Sequence, residues 1–317
     1  MTDIVVVGSL NVDVVVPLRE LPAAGQTVLS ADHQRSGGGK GGNQAVAAAR
    51  LGRSVAMVAA VGVDPEGEWL TGLLAAEGVA TGAVLRAPRP TGQAIVMVTA
   101  DGDSTIVVSS GANMWLAAEH LLPFAGLLAE ARALLVQQEV RAEVVTASVA
   151  AAGGLVVLNP APARPIDRSV LARVDVLVPN RGELAALVGA QPTGDLDELA
   201  AMARSLGTRG PVVVTLGADG ALVVARDREC LVPAEPVTAV DATGAGDTFC
   251  AGLADALLDG AAIEEAARWA SRVAAVTVTR PGAMASAPRR AEVTSVGPAP
   301  GPTGPVAQPG NRQRAWG

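Results

Sequence analysis

Near the start of the chain stands Ile4-Val5-Val6-Val7-Gly8-Ser9-Leu10-Asn11-Val12-Asp13: four β-favouring apolar residues, a glycine, then polar residues at alternate positions. A run that is apolar on both faces suits a strand covered on both sides, the habit of parallel sheets. Runs of the same kind recur at Val55 to Val61, Ala133 to Val136, Leu155 to Leu158, Val174 to Val178, Val212 to Leu216 and Ala221 to Val224. Between them lie the Ala- and Leu-rich stretches Asn43 to Leu51, Glu66 to Glu77, Ala117 to Ala131, Glu143 to Ala151, Arg181 to Leu187 and Leu196 to Leu206, which favour helix. This alternation predicts an α/β fold with helices on both faces of a mostly parallel sheet. Two stretches break the rhythm, Val12 to Gln34 and Gln93 to Ser110. In the second, Ala94 to Val98 and Thr105 to Val108 flank the turn Asp101-Gly102-Asp103, which predicts a hairpin. Antiparallel pieces of this kind are expected to form a small separate β-sheet placed as a lid.

A chain of 317 residues that is 50% hydrophobic can bury one large core. Its net charge of −7, with Lys and Arg scattered singly, leaves no basic stripe for a phosphate backbone, so nucleic acid is not an expected partner. Apolar stretches such as Val144 to Val157 are interrupted well short of the roughly 20 residues that span a bilayer, and the N-terminus enters a strand without a basic leader. The expected location is the cytoplasm, with no membrane contact. Cys230 and Cys250 lack metal-ligand spacing and read as packing residues. His33 and His120 lack partners at metal or triad spacing, and Trp69, Trp115 and Trp269 read as packing side chains. Nine of the fourteen residues from Gly297 to Gly310 are Pro or Gly, so a body over residues 1–288 and a disordered tail over residues 289–317 are expected.

Chemistry concentrates in Val240-Asp241-Ala242-Thr243-Gly244-Ala245-Gly246-Asp247-Thr248-Phe249, followed by a helical run from Cys250 to Leu258. A glycine-rich turn entering a helix aims unpaired N–H groups and the positive end of the helix dipole at one spot, which can hold an anion. An isolated Asp in such a turn would read as an N-cap. Two glycines and a second Asp point instead to phosphoryl transfer, which needs a base for the incoming hydroxyl and donors for the transferred group.

A second segment, Gly37-Gly38-Gly39-Lys40-Gly41-Gly42-Asn43-Gln44, satisfies the spacing of the dinucleotide fingerprint, with Asp64 about twenty residues on. That fingerprint must follow a buried strand, and Ala31 to Ser36 is too polar to be one. The P-loop pattern also fails, because Gly41 follows Lys40 where Ser or Thr is required. The remaining reading is a close-approach surface for a polyhydroxylated ligand, with Lys40 and Asn43 as donors. At the carboxyl end of the first strand, Asn11 and Asp13 have the spacing to grip vicinal hydroxyls together, or to bond their own backbone as turn residues.

Taken in order, Gly8 to Asp13, Gly38 to Ala48, Gly111-Ala112-Asn113, Asn159 to Ala163, Pro179-Asn180 with Glu183, Thr215-Leu216-Gly217 and Asp241 to Phe249 resemble the motif set of the ribokinase family of carbohydrate kinases. The resemblance runs from about Ile4 to Pro288, and the Gly38 to Ala48 and Asn159 to Ala163 runs resemble its ribose-phosphorylating members more than fructokinases or nucleoside kinases. It implies a ribokinase-like three-layer α/β/α sandwich with a small β-sheet lid, at about residues 12–34 and 93–110, that also pairs two subunits. It implies ATP-dependent phosphorylation of D-ribose at its 5-hydroxyl, with another pentose, a ketohexose or a nucleoside as the alternative acceptor. At matching positions, Asp247 is the expected base and Gly244, Ala245 and Gly246 the anion hole. Asn11, Asp13, Gly39, Lys40, Asn43 and Glu139 would line the sugar site, and Asn180 and Glu183 would help order magnesium. Thr215, Gly217, Ala218, Asp219, Gly220 and Ser271 would contact ATP, Ser271 departing from the larger polar side chain common there. Asp241, Thr243, Thr277, Arg280, Gly282 and Ser286 match positions around a monovalent cation, potassium.

Two readings from other classes compete. A sugar-binding sensor without catalysis would have no need of Asp247 among its glycines. A nicotinamide-dependent oxidoreductase would rest on Gly37 to Gly42 alone.

Overall fold

The computed structural model describes residues 2–99 and 104–295. Its strands are β1 (Ile4–Val7), β2 (Asn11–Leu18), β3 (Gln34–Gly38), β4 (Val55–Gly62), β5 (Ala80–Ala87), β6 (Gly92–Thr99), β7 (Ser104–Ser109), β8 (Ala133–Gln137), β9 (Leu155–Asn159), β10 (Val176–Leu177), β11 (Val212–Thr215), β12 (Ala221–Val224) and β13 (Glu229–Val232). Its α-helices are α1 (Lys40–Arg50), α2 (Pro65–Ala76), α3 (Ala125–Glu130), α4 (Ala142–Ala151), α5 (Arg168–Leu171), α6 (Arg181–Val188), α7 (Leu196–Ser205), α8 (Ala245–Leu258), α9 (Ile263–Val278) and α10 (Arg290–Ser295).

The main sheet has the order β13-β12-β11-β10-β9-β8-β1-β4-β5, parallel from β11 to β5, with β12 and β13 antiparallel at one edge. Alternate residues of β1 feed two cores: Ile4 and Val6 pack in the layer containing α1, α8 and α9, while Val5 and Val7 pack in the layer containing α4, α6 and α7. That is why the run carries no polar residue. From β1 the chain steps outward through β4 and β5, and from β8 it steps the opposite way. The crevice outside the carboxyl ends of β1 and β8 is therefore the switch point, where ligands of open α/β sheets bind.

A second sheet, β3-β2-β6-β7, stands apart. The hairpin expected within Gln93 to Ser110 is present as the antiparallel pair β6 and β7, while Asp101, Gly102 and Asp103 lie outside the described residues. The expected antiparallel pieces are the pairs β2–β3 and β6–β7, and they are joined at the centre of the sheet by a parallel pair, β2 and β6. Both strands follow parallel strands of the main sheet, β1 and β5, and so leave it in the same direction. Ala31 to Ser36, too polar for a buried strand, nevertheless contributes to β3, whose first residues are exposed. An exposed edge strand tolerates polar side chains, and it is not the buried parallel strand that a dinucleotide fingerprint requires.

The helix expected over Ala117 to Ala131 begins as 3₁₀ turns from Ala118 to Phe124 and becomes α-helical only at Ala125. Pro123 lacks the N–H that a continuous α-helix would use. The boundary expected at Pro288 is also corrected. The chain continues into α10, whose Val293 is fully buried against Leu51, Val273 and Val276. Arg290 donates to the Leu51 carbonyl at 2.7 Å and to the buried Asp255 carboxylate at 2.5 Å. The rest of the expected tail, residues 296–317, lies outside the described residues. Among the described residues no helix is long and apolar enough to cross a membrane.

Candidate active site

Glycines bring three elements together at the switch point. Gly39 caps α1 at φ 82°, and a Cβ there would stand 2.8 Å from Asn11 N and 2.9 Å from Ser9 O, so only glycine lets α1 start this close to the turn after β1. The start of α1 then meets Glu139, from the segment after β8: its Oε2 accepts the Lys40 N–H at 3.0 Å and the Ser9 hydroxyl at 2.5 Å. Asn11 and Asp13 lie two residues apart on β2 and so share one face. Asn11 is positioned by Asn113, whose Nδ2 donates to its Oδ1 at 2.8 Å and whose Oδ1 accepts the Leu10 N–H at 2.9 Å.

Asp13 differs from its neighbours in having no protein donor on its carboxylate among the described residues. Burial, with the negative charges of Glu139 and Asp247 nearby, raises its pKa from 3.8 to about 7. Close enough to contribute to that shift is Asp247, in the first turn of α8 and almost fully buried. Asn43 Nδ2 donates to its Oδ2 at 2.8 Å and Gln44 Nε2 to its Oδ1 at 3.2 Å. Gln44 is held in turn by Gln137 Nε2, at 2.6 Å. Burial raises the Asp247 carboxyl above its ordinary value, against the opposing pull of Lys40 and the Asn43 amide. For Lys40, burial acts downward, but Asp247, Glu139 and Glu183 outweigh it and hold the ammonium above its ordinary value. Asn43 Oδ1 is a buried acceptor without a partner in the protein. The crevice thus offers an unpaired acidic acceptor, an orphaned amide oxygen and an ammonium, the mixture that a polyhydroxylated ligand satisfies.

The turn before α8 carries the second half of the site. Gly244 has φ 78°, and a Cβ on it would stand 2.9 Å from Ala283 Cα. Ala245 N–H bonds the Ala242 carbonyl at 3.2 Å, while those of Gly246 and Asp247 are first-turn donors beyond the reach of the intrahelical ladder. Gly246 also borders a cleft of about 530 Å³ whose walls include Thr215, Gly217, Ala218, Gly220, Phe249 and Ser271. The sequence-expected nucleotide residues therefore converge, and the cleft shares Gly246 with the Asp247 crevice. Asp219 is the exception, since its carboxylate leaves the cleft to pair with Arg181 at 2.6 Å. Ser271 Oγ is buried and without a partner.

Asn180 and Glu183 form a capping box on α6: Asn180 Oδ1 accepts the Glu183 N–H and Glu183 Oε2 accepts the Asn180 N–H, both at 2.8 Å. Each side chain keeps one polar atom outside that exchange. Burial raises the Glu183 carboxyl above its ordinary value, and it lies within the field of Lys40 and Asp247. One free carboxylate oxygen cannot cage an ion, and no group of three or more His, Cys, Asp or Glu that could hold a metal ion occurs among the described residues. It does fit magnesium held chiefly by phosphates and water.

Of the expected cation residues, the structure joins Asp241, Thr243 and Gly282. Asp241 Oδ1 accepts from Thr243 N at 2.9 Å and Oγ1 at 2.6 Å, and Oδ2 accepts from Gly282 N at 2.8 Å. Burial alone would raise this carboxyl, but those donors hold it below its ordinary value. The carboxylate thus caps its own turn and clasps the facing loop. Arg280 turns away to Glu292 at 2.6 Å, while the Thr277 and Ser286 hydroxyls donate to the Val273 and Ala283 carbonyls.

The sequence of residues 1–290 matches the model of the pfkB family carbohydrate kinases. The chain belongs to that family. The kinase is 38% identical over 296 residues to a ribokinase of Bacillus subtilis, covering 92% of this chain and 98% of the relative. It is 37% identical over 293 residues to a deoxyribokinase of Salmonella typhi, covering 90% and 95%. The solved structure of the Arabidopsis thaliana ribokinase complexed with ribose and ATP superposes with a TM-score of 0.84 at 32% identity, covering 93% of this kinase and 98% of that chain. This protein is therefore a phosphotransferase of the ribokinase type acting on a carbohydrate.

Ser9, Gln44 and Asn113 stand within the sequence motifs without a role legible there, and Gln137 stands outside them. In the kinase they hold Glu139, Asp247 and Asn11 in place. Gln137 had a legible signal, since it ends a strand whose next-but-one residue is Glu139.

Proposed function

We propose that this kinase transfers the γ-phosphoryl group of ATP to the 5-hydroxyl of D-ribose. The observation that carries the reading is Asp13: a partly buried carboxylate without donors, close to Asp247 and beside a glycine-lined anion turn. A vicinal diol gives such a carboxylate two donors, whereas 2-deoxyribose gives it one, so ribose is favoured over the substrate named for the deoxyribokinase relative. Asn11, Gly39, Lys40, Asn43 and Glu139 complete the sugar site, and the cleft at Gly246 receives the nucleotide.

In the reaction, an Asp247 carboxylate oxygen takes the proton of the 5-hydroxyl as that oxygen forms its bond to the γ-phosphorus. The bond from that phosphorus to the bridging oxygen breaks, and its electron pair leaves with ADP. N–H groups of the Gly244 to Gly246 turn stabilise the charge on the transferred group, and the Lys40 ammonium opposes the upward pull of burial on the Asp247 carboxyl. Magnesium, ordered with its waters near Asn180 and Glu183, would neutralise phosphate charge. A panel of D-ribose, 2-deoxy-D-ribose, D-fructose and adenosine, each with ATP while ADP release is followed, tests the assignment. D-Ribose is expected to give the highest kcat/KM by at least about tenfold, and a higher value for any other acceptor overturns it.

We further propose a monovalent cation between the Asp241 to Thr243 turn and the Thr277 to Ser286 loop, held by carbonyls and the Asp241 carboxylate. It would fix the loops behind Gly244 without touching substrate, so its effect falls on turnover. Exchanging sodium for potassium at constant ionic strength is expected to raise kcat several-fold and to raise the melting temperature, and Asp241→Ala to abolish most of both responses. Identical rates and melting temperatures in the two salts would refute the site. The small sheet is proposed as a lid and as the pairing surface of a homodimer, since Ile95, Ile106, Val107 and Val108 on it are well exposed. The cytoplasm is the proposed location.

A further inference from the structure

Arg50, the last residue of α1, lies at the opposite end of that helix from Lys40. Its Nε and Nη2 meet the two carboxylate oxygens of Glu77 at 2.9 and 2.6 Å, a bidentate pair. Its Nη1 turns the other way, donating to the carbonyls of Ala287 at 2.6 Å and Ala285 at 2.9 Å, with Met284 further off at 3.4 Å. One planar, always-charged group thus gathers the carbonyls of a loop on one side while it pairs with Glu77 on the other.

That loop backs both halves of the site. Ala283 lies against Gly244, so closely that a Cβ on Gly244 would stand 2.9 Å from its Cα. The Met284 side chain lies under the glycine segment that presents Lys40: a Cβ on Gly42 would stand 2.7 Å from its Cε, and one on Gly37 2.9 Å from its Sδ. Gly282, in the same loop, donates to Asp241.

We infer that Arg50 is a positioning residue for phosphoryl transfer: by holding the carbonyls of residues 284–287 it makes Ala283 and Met284 a fixed buttress for the anion turn and for the glycine segment. The inference rests on the reading of Gly244 to Gly246 as the anion hole. Without the guanidinium, the carbonyls of two buried residues, Met284 and Ala287, lose a charged donor, and the loop must rearrange to find others. Donors aimed at a transition state lose their value when displaced by a fraction of an ångström, whereas ground-state nucleotide binding, spread over the wide cleft, does not.

Three variants test this with steady-state kinetics and melting curves. Arg50→Gln is expected to lower kcat about tenfold or more while the KM for ATP stays within about twofold. Arg50→Lys, which keeps the charge but cannot serve Glu77 and the loop together, is expected to fall between Arg50→Gln and wild type; should Arg50→Gln not fold, it carries the same split of kcat against KM. Glu77→Gln removes the ion pair but leaves Arg50 on its carbonyls, so it is expected to lower the melting temperature while keeping kcat within about twofold. Wild-type kcat in folded Arg50→Gln, or a fall in kcat for Glu77→Gln in step with it, overturns the inference. If Asp247→Asn is inactive while Arg50→Gln keeps wild-type kcat, only the Arg50 role falls; if Asp247→Asn also keeps its turnover, Asp247 is not the base and the placing of phosphoryl transfer at this turn falls with it.

Discussion

Replacing Asp247 by Asn is expected to lower kcat by about 10²-fold or more while sugar and ATP affinities stay within a few-fold. The substitution keeps the shape of the side chain and removes the group that takes the hydroxyl proton. Its new amide would face two donors, Asn43 Nδ2 and Gln44 Nε2. Rotation of the Asn43 amide resolves the conflict, because it turns the buried and unpartnered Asn43 Oδ1 toward the new NH₂. The variant also loses a buried carboxyl whose pKa burial has raised, so it should fold at least as stably as wild type at neutral pH. Turnover by ADP release and binding by calorimetry separate chemistry from affinity. A kcat within tenfold of wild type would remove Asp247 from the role of base.

The parts of this fold that were legible in sequence are those where one local rule decides. The run Ile4 to Val7 could only be a doubly covered strand, and Gly244 to Asp247 before an apolar helical run could only be a tight entry into a helix. What escaped were elements whose residues are partly exposed. In β5, exposed and buried positions mix without a clear period, and β13 is an exposed edge strand of four residues. The long helix α9 carries three arginine or glutamate side chains in its first turns and was not separated from its surroundings, although its buried positions repeat at helical spacing. For the site, residue types at strand ends were readable, but the hydrogen bonds of Gln137 to Gln44 and of Gln44 to Asp247 span 93 and 203 positions, and no local pattern encodes such pairings. The tail boundary failed for a related reason. Val293 looks like one apolar residue in a polar stretch until Leu51, more than two hundred residues earlier, is placed beneath it.

The strongest coupling of sugar binding to pH is expected at Asp13. Its carboxyl titrates at about 7 in the folded protein against an ordinary value of 3.8, so over that interval the folded state binds more protons than the unfolded state. Stability contributed by this group therefore falls as pH rises from about 4 to about 7. Asp13→Asn removes the penalty: its melting temperature is expected to exceed that of the unliganded wild type by a few degrees at pH 8 and to match it near pH 4. Sugar binding runs in the opposite sense. Hydroxyls donating to the carboxylate favour its charged form, so ribose should bind with release of a proton and more tightly at pH 8 than at pH 6. In Asp13→Asn, loss of two charge-assisted hydrogen bonds should weaken ribose about 10²-fold and flatten that pH dependence, with ATP affinity unchanged within about twofold. Calorimetry at both pH values, in buffers of different ionisation enthalpy, counts the proton directly. Equal losses for ribose and ATP, or a variant no more stable than wild type at pH 8, would make Asp13 a structural residue of β2 and leave the vicinal hydroxyls without their acceptor.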